Sequence, residues 1–504
     1  MATSALLSVD VGTSSTKGLL VGLDGQVLAQ MSLEHEVQRP RPGWVEMDAS
    51  LWWDEFCVLS RRLGRDDDVR IEAVGLSGMG PCVVLTDEAG EPVRPAILYG
   101  VDTRSRRQIE DLTERYGDAE IRERCGSSLS SQAAGPKVQW VAEQEPGAYA
   151  RARRLFMPAS WLAYRLTGHY VLDHHSASQC TPLYDIAEGA WFEPWVKDIC
   201  PTLELPPLGW PGDRSGVVTG PAASATGIPA GTAVITGTID AWAEAVSVDA
   251  QNVGDLMLMY GTTMFLVNTV SRPVTHPALW GTVGTQPGTR CLAGGMATSG
   301  AITQWMRGLF GTSDFTMLAT EAAQSPPGAR GLLMLPYFSG ERTPVMDPLA
   351  RGVLVGLTLS HTRGDLYRAV WEATGLAVRH NMEAIRAAGG DVRRVVAVGG
   401  GVQGTAWPQI VSDITGHDQL IPQQTVGASY GGAYLAARLV CDADITAWNP
   451  TRATVRPSPQ AVAYYEELYG WYRKLYPDTR ELAHWLARQQ EGGPASDPAP
   501  PQEE

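Results

Sequence analysis

The chain has 504 residues, 44% of them hydrophobic, which is enough to bury large cores and favours two or more domains. Its 40 Lys and Arg against 55 Asp and Glu leave a formal charge of −15, which argues against nucleic acid as a partner. The seven cysteines are scattered without Cys-x-x-Cys spacing and no apolar run is long enough to span a membrane, so a reduced cytoplasmic protein is expected, with no cysteine-built zinc site and no membrane partner.

In chain order, the first element is an apolar run over residues 6–11 that delivers Asp10 to its end and opens into the small-residue turn Gly12-Thr13-Ser14-Ser15. A turn of this kind can crowd backbone N–H groups and hydroxyls around a phosphate. A second apolar run follows at once, with Asp24-Gly25 as its own turn, so the Gly12 loop is predicted between two antiparallel strands. No Gly-Lys pair occurs in the chain, which excludes a Walker loop. After the Pro-rich turn near residues 39–43, Trp52 to Phe56 are expected to start a helix.

Three further turns complete a set. The run 233–236 ends in Gly237-Thr238-Ile239-Asp240 and enters a helical pattern. The run 256–260 ends in Gly261-Thr262-Thr263, an echo of Gly12-Thr13-Ser14, and the run 395–398 ends in Gly399-Gly400-Gly401. Two hairpins of one design suggest a duplicated fold around a shared cleft. Residues 1–245 are read as the first half and 246–488 as the second, closed by a helix over 461–488 whose expected apolar face is Ala463, Tyr464, Leu468, Trp471, Tyr472 and Leu475. Residues 489–504, rich in Pro, Gly and Glu, read as a disordered tail.

This ordered set, over roughly residues 5–440, resembles the superfamily of acetate kinase, sugar kinases, heat-shock chaperones and actin, and within it the FGGY carbohydrate kinases. Two longer stretches narrow the likeness. Residues 137–144 are similar to half of one FGGY signature; residues 352–357 followed by 365–372 are similar to the other. The resemblance implies an α/β chain of two ribonuclease H-like (actin-like ATPase) domains, with mixed sheets flanked by helices around a central cleft. It further implies an ATP-dependent kinase acting on a terminal hydroxyl of a ketopentose, with D-xylulose first; ribulose, a hexulose, an erythritol-like polyol and glycerol stay open. ATP and Mg²⁺ are the implied cofactors. A small-molecule sugar or polyol is the implied partner, and a homodimer is among the expectations.

Phosphoryl transfer needs in-line positioning, charge stabilisation and an acceptor for the nucleophile's proton. Asp240, at a strand-to-helix turn, is assigned as that base and as a substrate contact; the alternative is an ordinary helix cap. Asp10 is assigned as the Mg²⁺ carboxylate, with Gly12, Thr13, Ser14 and Lys17 near the phosphates. From the second half, Gly261, Thr262 and Thr263 would hold phosphate, and the resemblance places Gly300, Gln304, Gly400, Gly401 and Thr405 beside the nucleotide. Met79, Gly80, Asp102 and Arg104 are the candidates for the sugar pocket. Gly80 stands where typical relatives carry His, and Val426 where many carry Glu.

Two rivals are weighed. Gly427-Ala428-Ser429-Tyr430-Gly431 fits a nucleophile elbow, with Asp442 or Asp444 and then His484 in hydrolase order. A nucleotide-binding switch on the same fold is the other; it would hydrolyse ATP slowly with no sugar.

Overall fold

The computed structural model describes residues 3–65, 68–312 and 314–492, so all of the expected tail beyond residue 492 lies outside the described residues. The first sheet is built on the strand Thr3–Val11, which pairs antiparallel with Ser15–Gly22 and parallel with Val69–Gly78. Val27–Glu34 extends it on one side, and Ala233–Ile235 and Arg214–Val217 on the other. Its central strands are buried along most of their length, as expected for strands covered on both faces.

The second sheet repeats the plan. Asp255–Tyr260 pairs antiparallel with Met264–Val270 and parallel with Arg394–Gly399, while Arg290–Met296 and Trp280–Val283 extend one side and Gln419–Pro422 and Thr451–Val455 the other. The likeness reaches the turns. Gly12 N–H donates to Ser15 O at 3.0 Å, and Gly261 N–H to Thr263 O at 3.1 Å. The expectation of two mixed sheets with helices, each carrying a hairpin with a small-residue turn, is met.

The spatial division is not the division along the chain. Helix Ala428–Ala437, late in the sequence, seats on the first sheet beside helix Asp240–Ser247. Its glycines make this approach possible: a Cβ on Gly431 would overlap the Ala243 carbonyl, and one on Gly432 would lie 2.5 Å from Ser8 Oγ. Tyr430 then donates its hydroxyl to Gly25 O at 2.8 Å, tying this helix to the turn of the first hairpin. Packing therefore explains the Gly-x-Ser-x-Gly pattern. Ser429 is buried, and His484 is bound not to Asp442 or Asp444 but to Asp347, at 2.6 Å. The hydrolase triad is not assembled.

The closing helix runs over Pro459–Gly492, so it starts before residue 461 and carries residues 489–492, expected in the tail, as helix. Its buried face is Tyr465, Tyr469, Tyr472, Ala483 and Ala487. Of the expected face Tyr472 is buried, Leu468 and Leu475 are partly buried, and Ala463, Tyr464 and Trp471 are exposed. Two apolar stripes lie side by side on this helix, and periodicity alone mixed them. The pair His174-His175 begins a short helix, His174–Ser178, in which His175 is buried against Trp242.

Candidate active site

Parallel pairing brings the turns together. Val11 is level with Gly78, and Gly78 with Ile239, so Asp10, the Gly12 turn, Met79-Gly80 and Asp240 emerge at one edge of the first sheet. In the second sheet Tyr260 is level with Gly399, which sets the Gly261 and Gly400 turns side by side. Sites in open α/β sheets form outside the carboxyl ends of strands for this reason.

Between the halves lies a cavity of about 520 Å³. Of the residues assigned from sequence, Asp10, Gly12, Thr13, Ser14, Lys17, Met79, Gly80, Asp240 and Thr263 line it. Ser77 donates its hydroxyl to Asp10 Oδ1 at 2.8 Å, and Lys17 is the cross-strand partner of Asp10. Asp240 is not the helix cap: it occupies the first helical position, with Ile239 before it, and its own Oδ1 accepts from Ala241 N–H at 2.7 Å.

Gly261, Thr262, Gly300, Gln304, Gly400, Gly401 and Thr405 do not line this cavity but gather beyond it, at the second sheet's edge. The Gly300 N–H donates to Gly261 O at 3.0 Å, and a Cβ on Gly300 would stand 2.5 Å from that oxygen. Gly400 has open space where a Cβ would be; Gln304 and Thr405 are exposed.

Asp102 and Arg104 are a correction. Neither lines the cavity, and both side chains are fully buried. Arg104 Nη2 meets Asp102 Oδ2 at 2.7 Å and its Nη1 meets Glu46 at 2.5 Å, while the guanidinium lies 4.3 Å from the Trp44 ring centre and 4.9 Å from that of Trp140. Val45 N–H completes Asp102 at 2.6 Å. An acidic and a basic residue two apart looked like a hydroxyl-binding fork; folding turns them on each other because a buried charge needs a partner.

Sequence reasoning missed much of the cavity wall in the first half. Tyr99, whose hydroxyl is 2.9 Å from Thr13 Oγ1, lines the cavity, as do Ser127, Ser128, Ser130 and Gln132. The serine-rich run just before the signature at 137–144 was the available signal. Lys137 of that signature explains the link: its buried ammonium donates to Ser131 O at 2.6 Å, and burial lowers its pKa to about 8. Trp242, Phe265 and Trp280 form an aromatic run across the two halves, with ring centres 5.9 and 6.2 Å apart. Arg342 lines the cavity from the second half, its backbone N–H held by Glu341 at 2.7 Å.

Glu244, one helical turn after Asp240, also lines the cavity. Burial, then repulsion from Asp10, lifts both Asp240 and Glu244 to about 7. Asp10 is raised by burial too, against the opposing effects of the Ser77 hydrogen bond and Lys17. Three carboxyls with this much mutual repulsion make a cleft that favours bound cations. Among the described residues no group of three or more His, Cys, Asp or Glu is arranged to enclose a metal. Asp10 and Asp240 on the cavity wall fit the donor set of Mg²⁺, which keeps several waters and takes one or two carboxylates with phosphate oxygens.

Residues 5–247 match the profile of the FGGY family of carbohydrate kinases, N-terminal domain, and residues 256–440 that of its C-terminal domain. The chain is 29% identical to the xylulose kinase of Escherichia coli (strain K12), over 93% of this chain and 98% of that one. It is 33% identical to the glycerol kinase of Nocardia farcinica (strain IFM 10152), over 75% of this chain and 78% of that one. Among solved structures, the xylulose kinase from Rhodospirillum rubrum superposes with a TM-score of 0.89 at 30% identity, covering 95% of this chain and 100% of that one.

Proposed function

Since the chain belongs to the FGGY family of carbohydrate kinases, we propose that it transfers the γ-phosphoryl group of ATP to a terminal hydroxyl of a ketopentose, D-xylulose, giving xylulose 5-phosphate in the cytoplasm. The observation that carries the reading is that Asp240 lines one cavity together with the Gly12 turn, Thr263 of the second turn and the hydroxyl-bearing side chains of Tyr99, Ser127, Ser128 and Ser130. Several relatives matched over nearly their whole length are xylulose kinases, which supports the choice of sugar.

The roles follow from the wall. Asp240 accepts the proton of the attacking hydroxyl, and its elevated pKa matches a base working near neutrality. Gly12, Thr13 and Ser14 with Lys17 receive the phosphates from the first half, and Gly261, Thr262 and Thr263 from the second. Gly300, Gln304, Gly400, Gly401 and Thr405 border the nucleotide, where glycines let the ligand approach the backbone. Asp10 would hold Mg²⁺ with Asp240 close by. When bound, the ion neutralises charge on the phosphates and orients them. Met79, Gly80 and the Ser127–Gln132 wall face the sugar, and the aromatic run through Trp242 excludes water that would compete for the phosphoryl group.

A second acceptor class, a polyol such as glycerol, is supported by the 33% identity to the glycerol kinase of Nocardia farcinica. A coupled ATPase screen over ketoses and polyols decides. The highest kcat/KM is expected with D-xylulose; ATP turnover that no sugar or polyol raises would overturn the kinase reading.

A further inference from the structure

Against the Gly12 turn stands a buried ion pair that does not line the cavity and that no role assigned above uses. His35 directly follows the strand Val27–Glu34, and Glu55 comes from the helix Ala49–Leu63. His35 Nδ1 lies 3.0 Å from Glu55 Oε2 and 3.1 Å from Oε1, and its Nε2 lies 3.1 Å from Gly12 O. The two side chains are 3% and 8% exposed. A carbonyl and a carboxylate only accept, so both ring nitrogens donate, and one imidazolium joins the turn to the helix. Thr16, just past the turn, donates its hydroxyl to Glu55 as well.

The His35 backbone takes a second hold, its N–H donating to Ser14 O at 3.0 Å. Ring and amide together therefore fix the carbonyls of Gly12 and Ser14. Neither the Gly12-Thr13 nor the Ser14-Ser15 peptide is cis, and in a trans peptide the N–H points opposite to the carbonyl. The N–H groups of Thr13 and Ser15 are thus turned away from His35. Both residues line the cavity, and the Thr13 N–H has no hydrogen-bond partner among the described residues. A peptide beside glycine reorients readily unless something holds it. A buried ion pair gains little stability over an apolar pair of the same size, so stability does not by itself account for this one. What it supplies is the direction of two N–H groups.

We propose that His35, held by Glu55, is a positioning residue for phosphoryl transfer: it pins the Gly12 turn so that the N–H groups of Thr13 and Ser15 meet the phosphates of ATP. This role rests on the kinase reading and on the place given there to the Gly12 turn.

Calorimetry with a non-hydrolysable ATP analogue and with adenosine tests it, beside turnover of ATP with D-xylulose and the other ketoses and polyols. A wild type that phosphorylates none of them overturns the kinase reading and this role with it. A wild type that binds the analogue and phosphorylates a sugar or polyol keeps that reading, so a negative result with the variants concerns His35 alone. In the double variant His35→Phe with Glu55→Gln no buried charge is stranded, and the amide oxygen at position 55 still accepts from Thr16. Its melting temperature should stay near that of the wild type. Its KM for ATP and its dissociation constant for the analogue should each rise at least about tenfold, while adenosine, which has no phosphate, binds unchanged. The single variants give a second measurement should the double one fold poorly: His35→Gln keeps an N–H donor and should retain more analogue affinity than His35→Phe. Wild-type analogue affinity in the folded double variant would make the pair a matter of stability only and overturns the proposal. Adenosine weakened as much as the analogue overturns it too, as does equal analogue affinity in the two single variants.

Discussion

Asp10, near the end of the strand Thr3–Val11, and Asp240, directly after Thr238–Ile239, reach the cleft from the two sides of the strand Val69–Gly78 with which both pair, and the charge of Asp10 adds to burial in lifting the Asp240 carboxyl to about 7. A residue assigned to collect a proton is thus poised near neutrality by a residue assigned to the phosphate side. Most of the following expectations depend on that relationship.

Asp240→Asn keeps the size and hydrogen bonding of the side chain but cannot take a proton. Turnover should fall by about 10²–10⁴-fold while ATP-analogue binding persists. Retention of more than roughly a tenth of wild-type kcat would remove Asp240 from the base role.

The same substitution should stabilise the protein in the absence of ATP and metal. An aspartate ionises near 3.9 in an unfolded chain but near 7 here, so the folded state holds the extra proton between those values. Its contribution to stability is complete below about pH 4 and is lost as pH rises through about 7. Melting temperatures of Asp240→Asn and wild type should therefore converge near pH 4, with the variant higher at pH 8. A wild type that melts higher at pH 8 would contradict the burial assigned to this carboxyl.

Glu244 adds a further negative charge that raises Asp240. In Glu244→Gln the acid limb of the kcat/KM profile should move to lower pH, because Asp240 then loses its proton more easily. An acid limb that stays in place means that Asp240 does not control it.

Gly300→Ala forces a Cβ to within 2.5 Å of the Gly261 carbonyl, and backbone cannot yield as a side chain tip does. Overpacking of this kind costs about 1–3 kcal/mol, and here it displaces the turn assigned to phosphate. Calorimetry with a non-hydrolysable ATP analogue should show binding weakened by about tenfold or more, with sugar binding measured alone unaltered. Unchanged analogue affinity would move the nucleotide off this turn.

Arg104→Ala should act on stability and not on the sugar. It strands the buried carboxylate of Asp102, while Glu46 keeps Arg94; leaving one buried charge without its ion-pair partner typically costs about 3–5 kcal/mol. A large drop in melting temperature with little change in sugar KM is expected. A raised KM with unchanged melting temperature would restore the pair to the sugar pocket.

Much of this protein is legible in local sequence. Strand-then-glycine turns at Gly12, Gly237, Gly261 and Gly399 depend on backbone geometry within a few residues, so they fix the hairpins and the edge of each sheet where Asp10 and Asp240 emerge. What the tertiary structure decided depends on contacts between distant segments. Helix Ala428–Ala437 crosses to the first sheet because Gly431 and Gly432 match a surface set by Ala243 and Ser8. Asp102 and Arg104 turn inward because Glu46, Trp44 and Trp140 arrive from other parts of the chain. Glu244 and Arg342 become cleft residues only when the two halves face each other. On the closing helix, both apolar stripes have helical spacing, and only the packed body determines that Tyr472 is buried and Trp471 is left in solvent. Periodicity shows that a side chain shares a face; burial is settled by what the rest of the chain brings to that face.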